Sequence, residues 1–211
     1  MKNLLIPIEE SELLPSVLQS AVLVARRFGS YLEGLHVRPD FAGSIAASGM
    51  GAPYVIEEFR REDWEAIQRA HRTFEVYLRE RRIPDSRDEA GGPWAAFRAE
   101  APPGDEFIGQ HARLFDLTVV GQPSRGAAAP RMAVLETLLF DSGRPVLVAP
   151  PSPPSQIGGT IVIAWNASTE TARTVAFARP LLEQADRVVV LTVEGPESEE
   201  DSSANATSRA D

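Results

Sequence analysis

The sequence lacks cysteine, long apolar runs and any excess of positive charge. Without cysteine the chain has no disulfide, no thiolate zinc site and no cysteine nucleophile, and it suits a reducing compartment. The first apolar run is interrupted by Glu9 and Glu10, and no stretch approaches the roughly 20 apolar residues of a membrane helix. The formal net charge of −9 argues against a nucleic-acid-binding face, which needs cations to displace counterions. We therefore predict a cytoplasmic protein without nucleic-acid or membrane partners.

Sequence signatures of several enzyme classes are also missing. There is no Gly-x-Ser-x-Gly motif, no complete P-loop and no dinucleotide-binding fingerprint. His36, His71 and His111 are scattered without the spacing of metal ligands, so we predict that they are surface or partly buried residues. Glu9 and Glu10 are adjacent, and in an extended turn their side chains point apart. A role at the start of the first helix is favoured over a general acid–base pair. We predict no catalytic residue and no metal site.

Short β-branched runs alternate with amphipathic segments over the first 150 residues. Predicted strands cover residues 4–8, 31–37, 94–99, 117–120 and 146–148, and predicted helices cover residues 13–28, 55–82, 104–115 and 131–140. Gly29 is placed to end the first helix in the left-handed conformation. Strands that alternate with helices pair in parallel through right-handed crossovers. The pattern therefore predicts an α/β fold, a doubly wound parallel five-stranded sheet with helices on both faces.

The same pattern begins again after a stretch rich in proline and serine. Residues 161–168 echo residues 4–11, and a predicted helix and strand follow as they do in the first copy. An offset of about 156 residues is typical of a duplicated domain and too long for a solenoid repeat. We predict a first domain at residues 1–150, a linker at 151–158, a partial second βαβ copy at 159–195 and a disordered acidic tail at 196–211.

A ligand of such a sheet binds beyond the carboxyl ends of the strands, where the strand order reverses. Two predicted loops meet at that position. The first follows the opening strand and contains Glu9 and Glu10, and the second covers residues 121–126 after the fourth strand. Glycine lets backbone N–H groups approach a ligand closely, while serine and arginine donate hydrogen bonds to anions. The second loop is therefore a candidate anion-binding loop.

Residues 112–121, the Gly/Ser/Arg loop after them and residues 144–150 resemble the C-terminal half of a bacterial universal stress protein domain. The opening strand and its acidic turn fit the same family. The resemblance covers residues 1–150 as a whole domain and about 159–195 as part of a second one. It implies a tandem-domain member of the family with an incomplete second domain, a role in the stress response and no enzymatic activity.

ATP-binding members of this family carry Gly, two residues, Gly, nine residues and then Gly-Ser or Gly-Thr. Here Gly121 fits the first position and Ser124 stands at the second. The final pair falls on residues 134–135 or 132–133, which offer neither glycine nor hydroxyl, and the family's Asp after the first strand is matched by Glu9. The resemblance therefore implies a degraded nucleotide crevice. The residues that we assign to it are Ile8, Glu9, Val37, Gly121, Ser124, Arg125 and Gly126.

Two other interpretations stay open. The loop at residues 121–126 could still bind ATP weakly, which would make the chain an adenine-nucleotide-binding module; otherwise Gly121 only ends a strand and the loop is an ordinary one. Alternatively the chain is an interaction protein that dimerises. The last predicted strand, Val146-Leu147-Val148, lies at a sheet edge, and universal stress domains pair this strand across a two-fold axis. We therefore expect a homodimer, and no cofactor other than weakly bound ATP.

Overall fold

The computed structural model describes residues 1–38, 53–87, 91–124 and 129–192. The chain divides into two compact units, Met1–Ile157 and Gly158–Asp211. Two candidate site residues, Arg125 and Gly126, and the predicted tail at residues 196–211 lie outside the described residues. Within the described ranges, no helix has the length and apolar character needed to cross a membrane.

The first unit is a parallel sheet with helices on both faces. Its elements are β1 (Asn3–Ile8), α1 (Leu14–Phe28), β2 (Tyr31–His36), α2 (Pro53–Glu80), β3 (Trp94–Arg98), α3 (Asp105–Ala112), β4 (Leu117–Gly121), α4 (Met132–Asp141) and β5 (Val146–Ala149). The strands lie in the order β3-β2-β1-β4-β5, and every neighbouring pair is parallel. The order reverses between β1 and β4, which confirms the predicted doubly wound five-stranded sheet.

Helix α1 shows how the sequence sets these boundaries. Gly29 ends the helix with φ of 61°, in the left-handed region that glycine adopts without steric cost, as predicted. Arg26 and Arg27 lie in the last turn, where cations complement the free carbonyl groups. At the other end of the helix, the N-cap residue Leu13 makes no side-chain hydrogen bond to the first turn. The N–H of Leu14 donates instead to the carbonyl oxygen of Ser11.

Two apolar layers cover the two faces of the sheet. Successive residues of β1 belong alternately to the two layers. Leu4 and Ile6 pack on the side of α1 and α2, and Leu5 packs on the side of α3 and α4. The first layer also contains Phe74 of α2, and the second contains Leu138 of α4. Because both faces are buried, the sheet requires the nearly continuous apolar strands that the sequence shows.

Close packing of α2 on the sheet depends on Gly34 in β2. A Cβ atom at this position would lie 2.9 Å from ring atoms of Phe74, which is only 2 % exposed. We expect Gly34→Ala to lower the free energy of unfolding by about 1–3 kcal/mol, because the added methyl group overpacks the buried ring of Phe74. Gly92→Ala is the matched control, since an added methyl there meets no atom within 4 Å. Urea denaturation with equal midpoints for both variants would contradict this packing argument.

A charged side chain, Glu33, is buried in β2 beneath α3. Its Oε1 atom accepts hydrogen bonds from Nε2 of His111 at 2.6 Å and from Nε of Arg98 at 2.9 Å. Its Oε2 atom accepts one from the Tyr31 hydroxyl at 2.9 Å. Burial favours the neutral carboxyl, but these three donors outweigh it and lower the pKa of Glu33 to about 2. Burial raises the pKa of Tyr31, and its hydrogen bond to the Glu33 carboxylate raises it further.

The second unit contains β6 (Thr160–Trp165), α5 (Thr169–Leu182) and β7 (Arg187–Thr192), and the two strands are parallel. This order of elements is that of β1, α1 and β2. The hydroxyl of Ser168 caps α5 by accepting from the N–H of Thr171 at 3.2 Å. None of the described side chains of α5 is buried, and Val162 and Val190 are exposed by 58 % and 60 %. The unit therefore presents apolar surface on its strands.

Candidate functional site

A cavity of about 310 Å³ opens beyond the carboxyl ends of β1 and β2. It lies beside the point where the strand order reverses, which is where ligands bind in open α/β sheets. Val37 supplies an apolar wall, and most of the other lining residues are charged. The polar residues around the cavity are Glu9, Glu10, His36, Glu62, Asp63, Arg69 and Arg131.

The carboxylate of Glu9 lies at the N-terminus of α4. Its Oε1 atom accepts a hydrogen bond from the backbone N–H of Arg131 and another from Nε of the same residue, both at 3.2 Å. The first N–H groups of a helix have no partner inside the helix, and they attract anions. Burial raises the pKa of Glu9 although Arg131 opposes this change. An internal carboxylate therefore already accepts from the N–H group of the N-cap residue of α4.

Arg131 makes a second ion pair that links α4 to α3. Its Nη2 atom donates to Oδ1 of Asp105 at 2.8 Å. Asp105 is the first residue of α3, where a negative side chain is favourable. The guanidinium of Arg131 is thus held between two carboxylates, one after β1 and one at the start of α3.

His36 and Asp63 form the buried wall of the cavity. Only 8 % of His36 and 10 % of the Asp63 side chain are exposed. Oδ2 of Asp63 accepts from Nε of Arg38 at 2.8 Å, while Oδ1 has no hydrogen-bond partner. Nδ1 of His36 has no partner either. Burial lowers the pKa of His36, so the ring is neutral at pH 7. At the cavity mouth, Nε of Arg69 donates to Oε1 of the exposed Glu10 at 2.8 Å.

The predicted crevice residues do not all meet at this cavity. Glu9 and Val37 line it, and the N–H of Val37 donates to the carbonyl oxygen of Ile8, a fully buried residue of the sheet. Ser124 is exposed and is not among the lining residues. Gly121 is buried at the end of β4.

Packing alone requires glycine at position 121. A Cβ atom there would lie 2.6 Å from Cγ of Pro130 and 3.3 Å from Cβ of Leu13. Such contacts would force apart α1 and the segment that precedes α4. The glycine that fits the first position of the nucleotide motif therefore has a structural explanation that needs no ligand.

Sequence reasoning missed most of the residues that build the cavity. It assigned His36 to the surface or to partial burial, and it gave no role to Asp63, Asp105 or Arg131. One signal was present, because His36 ends a strand whose carboxyl end faces the predicted crevice.

The predicted role of Glu9 and Glu10 at the start of the first helix is wrong. Helix α1 begins at Leu14, and both carboxylates pair with arginines across the cavity.

No protein-family profile and no curated protein matches the sequence. Solved structures do match. The universal stress protein UspA from Lactobacillus plantarum aligns with 71 % of this chain and 97 % of its own, with a TM-score of 0.50 and 17 % identity. A universal stress protein from Archaeoglobus fulgidus aligns with 98 % of this chain and 73 % of its own, with a TM-score of 0.62 and 16 % identity. The chain therefore has the universal stress protein fold.

Proposed function

We propose that the chain is a cytoplasmic universal stress family protein with a non-enzymatic role in the stress response, and that its crevice binds adenine nucleotides weakly. The fold and the sequence features around β4 and β5 support the family assignment. The observation that carries the functional proposal is the contact between the Glu9 carboxylate and Arg131 at the start of α4.

A phosphate group binds at a helix N-terminus because free N–H groups point at it. At the N-cap of α4, the N–H of Arg131 already donates to Glu9, so an incoming phosphate would meet a carboxylate. The first residues of the helix, Met132 and Ala133, supply no hydroxyl donor. Repulsion between like charges and the loss of one or two donors both act against a nucleotide.

We expect MgATP to bind with a Kd of hundreds of micromolar or weaker. Each missing donor to a charged group is worth about 1.5–3 kcal/mol, which corresponds to a weakening of roughly ten- to a hundred-fold. Isothermal titration calorimetry on the full chain measures this directly. A low-micromolar Kd would show that the site is intact and would reject the proposal.

Removing the internal carboxylate tests its role. We expect Glu9→Ala to tighten MgATP binding by about tenfold, because the N–H and guanidinium of Arg131 become available while Asp105 still holds the side chain. Glu106→Ala is the matched control, because this exposed carboxylate of α3 accepts a hydrogen bond from Gln110 in its own helix and does not line the cavity. Equal affinities for the two variants would mean that Glu9 does not compete with phosphate.

An adenine-nucleotide-binding module is the second candidate. The cavity of about 310 Å³ favours it, because small-molecule sites begin at roughly that size. Under this alternative the wild-type chain binds MgATP tightly in the same calorimetry, and purified protein carries a nucleotide absorbance after denaturation.

The proposal includes a homodimer through β5. This strand is an edge of the sheet, and Val148 is 41 % exposed. Helix α4, which precedes β5, exposes Leu139 by 55 % and Phe140 by 81 %. Apolar side chains next to an open strand edge favour pairing with a second copy. The second unit, with its βαβ order, is in this proposal a partial copy of the first domain.

A further inference from the structure

We propose that the cavity beyond β1 and β2 binds a small organic cation that carries a guanidinium or primary amine group. This cavity is the one in the proposed function, and the inference rests on the proposed weak binding of nucleotides there. Four buried side-chain polar atoms lack a partner among the described residues, and the observations that carry the proposal are the two that belong to lining residues of the cavity, Oδ1 of Asp63 and Nδ1 of His36.

Asp63 lines the cavity, and its Oδ1 atom is a buried acceptor without a hydrogen-bond partner. Its side chain is 10 % exposed, and Arg38 bonds to Oδ2 alone. Buried polar atoms in folded proteins nearly always have a hydrogen-bond partner, so one without a partner points to a ligand. A carboxylate oxygen accepts only, and its partner must therefore carry an N–H or O–H group.

His36 adds a polar group that suits a cation. Burial, the largest effect, lowers the pKa of the ring, while the nearby carboxylates of Asp63 and Glu10 act in the opposite direction. The ring is therefore neutral, and it does not repel a positive charge. A neutral imidazole has one nitrogen lone pair, which accepts from an N–H donor.

The charges around the cavity favour a cation over a phosphate. Among the described residues that line the cavity or pair with its lining, five carboxylates face three guanidinium groups. Each of the three guanidinium groups already pairs with a carboxylate. A cavity with walls of one prevailing sign concentrates ligands of the opposite sign. The residues are Glu9, Glu10, Glu62, Asp63 and Asp105, and Arg38, Arg69 and Arg131.

A pair of ligands of equal shape tests the charge requirement. Calorimetry on the full chain compares n-butylguanidine with n-butylurea, its neutral counterpart, at low ionic strength. We expect n-butylguanidine to bind with a Kd below about 1 mM and n-butylurea at least about tenfold more weakly. Equal affinities for the two, no binding of n-butylguanidine, or displacement of it by millimolar Mg²⁺ would each overturn the proposal.

Three variants locate the site. We expect Asp63→Asn to weaken n-butylguanidine binding at least about tenfold, and Glu62→Gln to weaken it about two- to threefold through the loss of a charge at the cavity wall. Glu75→Gln, on α2 outside this cavity, should leave binding unchanged. Asp63→Asn also loses the ion pair with Arg38, so thermal melting must show that it is folded. If it is not, Glu62→Gln, an exposed position, decides, and an unchanged Kd there rejects the site.

The outcome separates this inference from the proposed function. Tight MgATP binding contradicts the proposed function whatever the cation does. Weak MgATP binding together with no binding of n-butylguanidine contradicts the inference alone.

Discussion

Glu33→Gln is expected to lower the free energy of unfolding at pH 7 by about 2 kcal/mol. The wild-type carboxylate accepts from His111, Arg98 and Tyr31, while a glutamine turns one acceptor into a donor. Hydrogen bonds to a buried charged group are worth more than neutral ones, and a broken network leaves its remaining members unsatisfied. Glu75→Gln, at an exposed residue of α2, should change the stability by less than about 0.5 kcal/mol.

The pH dependence of the unfolding free energy distinguishes the contribution of the Glu33 charge from that of side-chain packing. The pKa of Glu33 falls from its ordinary value of 4.5 to about 2 on folding, so the unfolded chain binds its proton first as the pH is lowered. The stabilisation is fully present above pH 4.5 and is lost as the pH falls through 2. Chemical denaturation of wild type and Glu33→Gln should therefore give curves that converge between pH 4.5 and 2. A constant difference across that window would mean that the side chain acts by packing alone.

Val148→Lys is expected to convert the proposed dimer into a monomer, with the dissociation constant raised at least about a hundredfold. A charge on an open edge strand blocks pairing with another strand. Val148 is exposed. Its neighbour Leu147 packs against the core, so a replacement there would destabilise the fold. Val76→Lys is the matched control, since this valine of α2 is 50 % exposed and lies away from β5.

Light scattering at micromolar concentration measures the mass of each variant. The wild type and Val76→Lys should be dimers and Val148→Lys a monomer, and all three should have the same melting temperature within a few degrees. A monomeric wild type would reject the dimer. A dimeric Val148→Lys would place the contact on another surface.

The sheet could be predicted from sequence because its signals are local. Apolar runs of strand length, the helical period between them and Gly29 at the end of α1 each depend on neighbouring residues only. The cavity depends on contacts between distant residues. Asp63 lies in the long helix α2, whose charged residues the sequence pattern assigns to solvent, and it becomes buried because Arg38 lies beside it. No local period predicts that Arg131 meets Glu9, since 122 positions separate them.

The pairing of Arg131 with Glu9 and Asp105 has a consequence for the order of folding. Glu9 follows β1, Asp105 begins α3 and Arg131 precedes α4, so the bridge forms only when segments far apart in the sequence have come together. Contacts of such large sequence separation pay a loop-closure cost and form late on average. An interaction absent from the transition state slows unfolding without speeding folding. Replacing Arg131 is therefore expected to speed unfolding more than it slows folding.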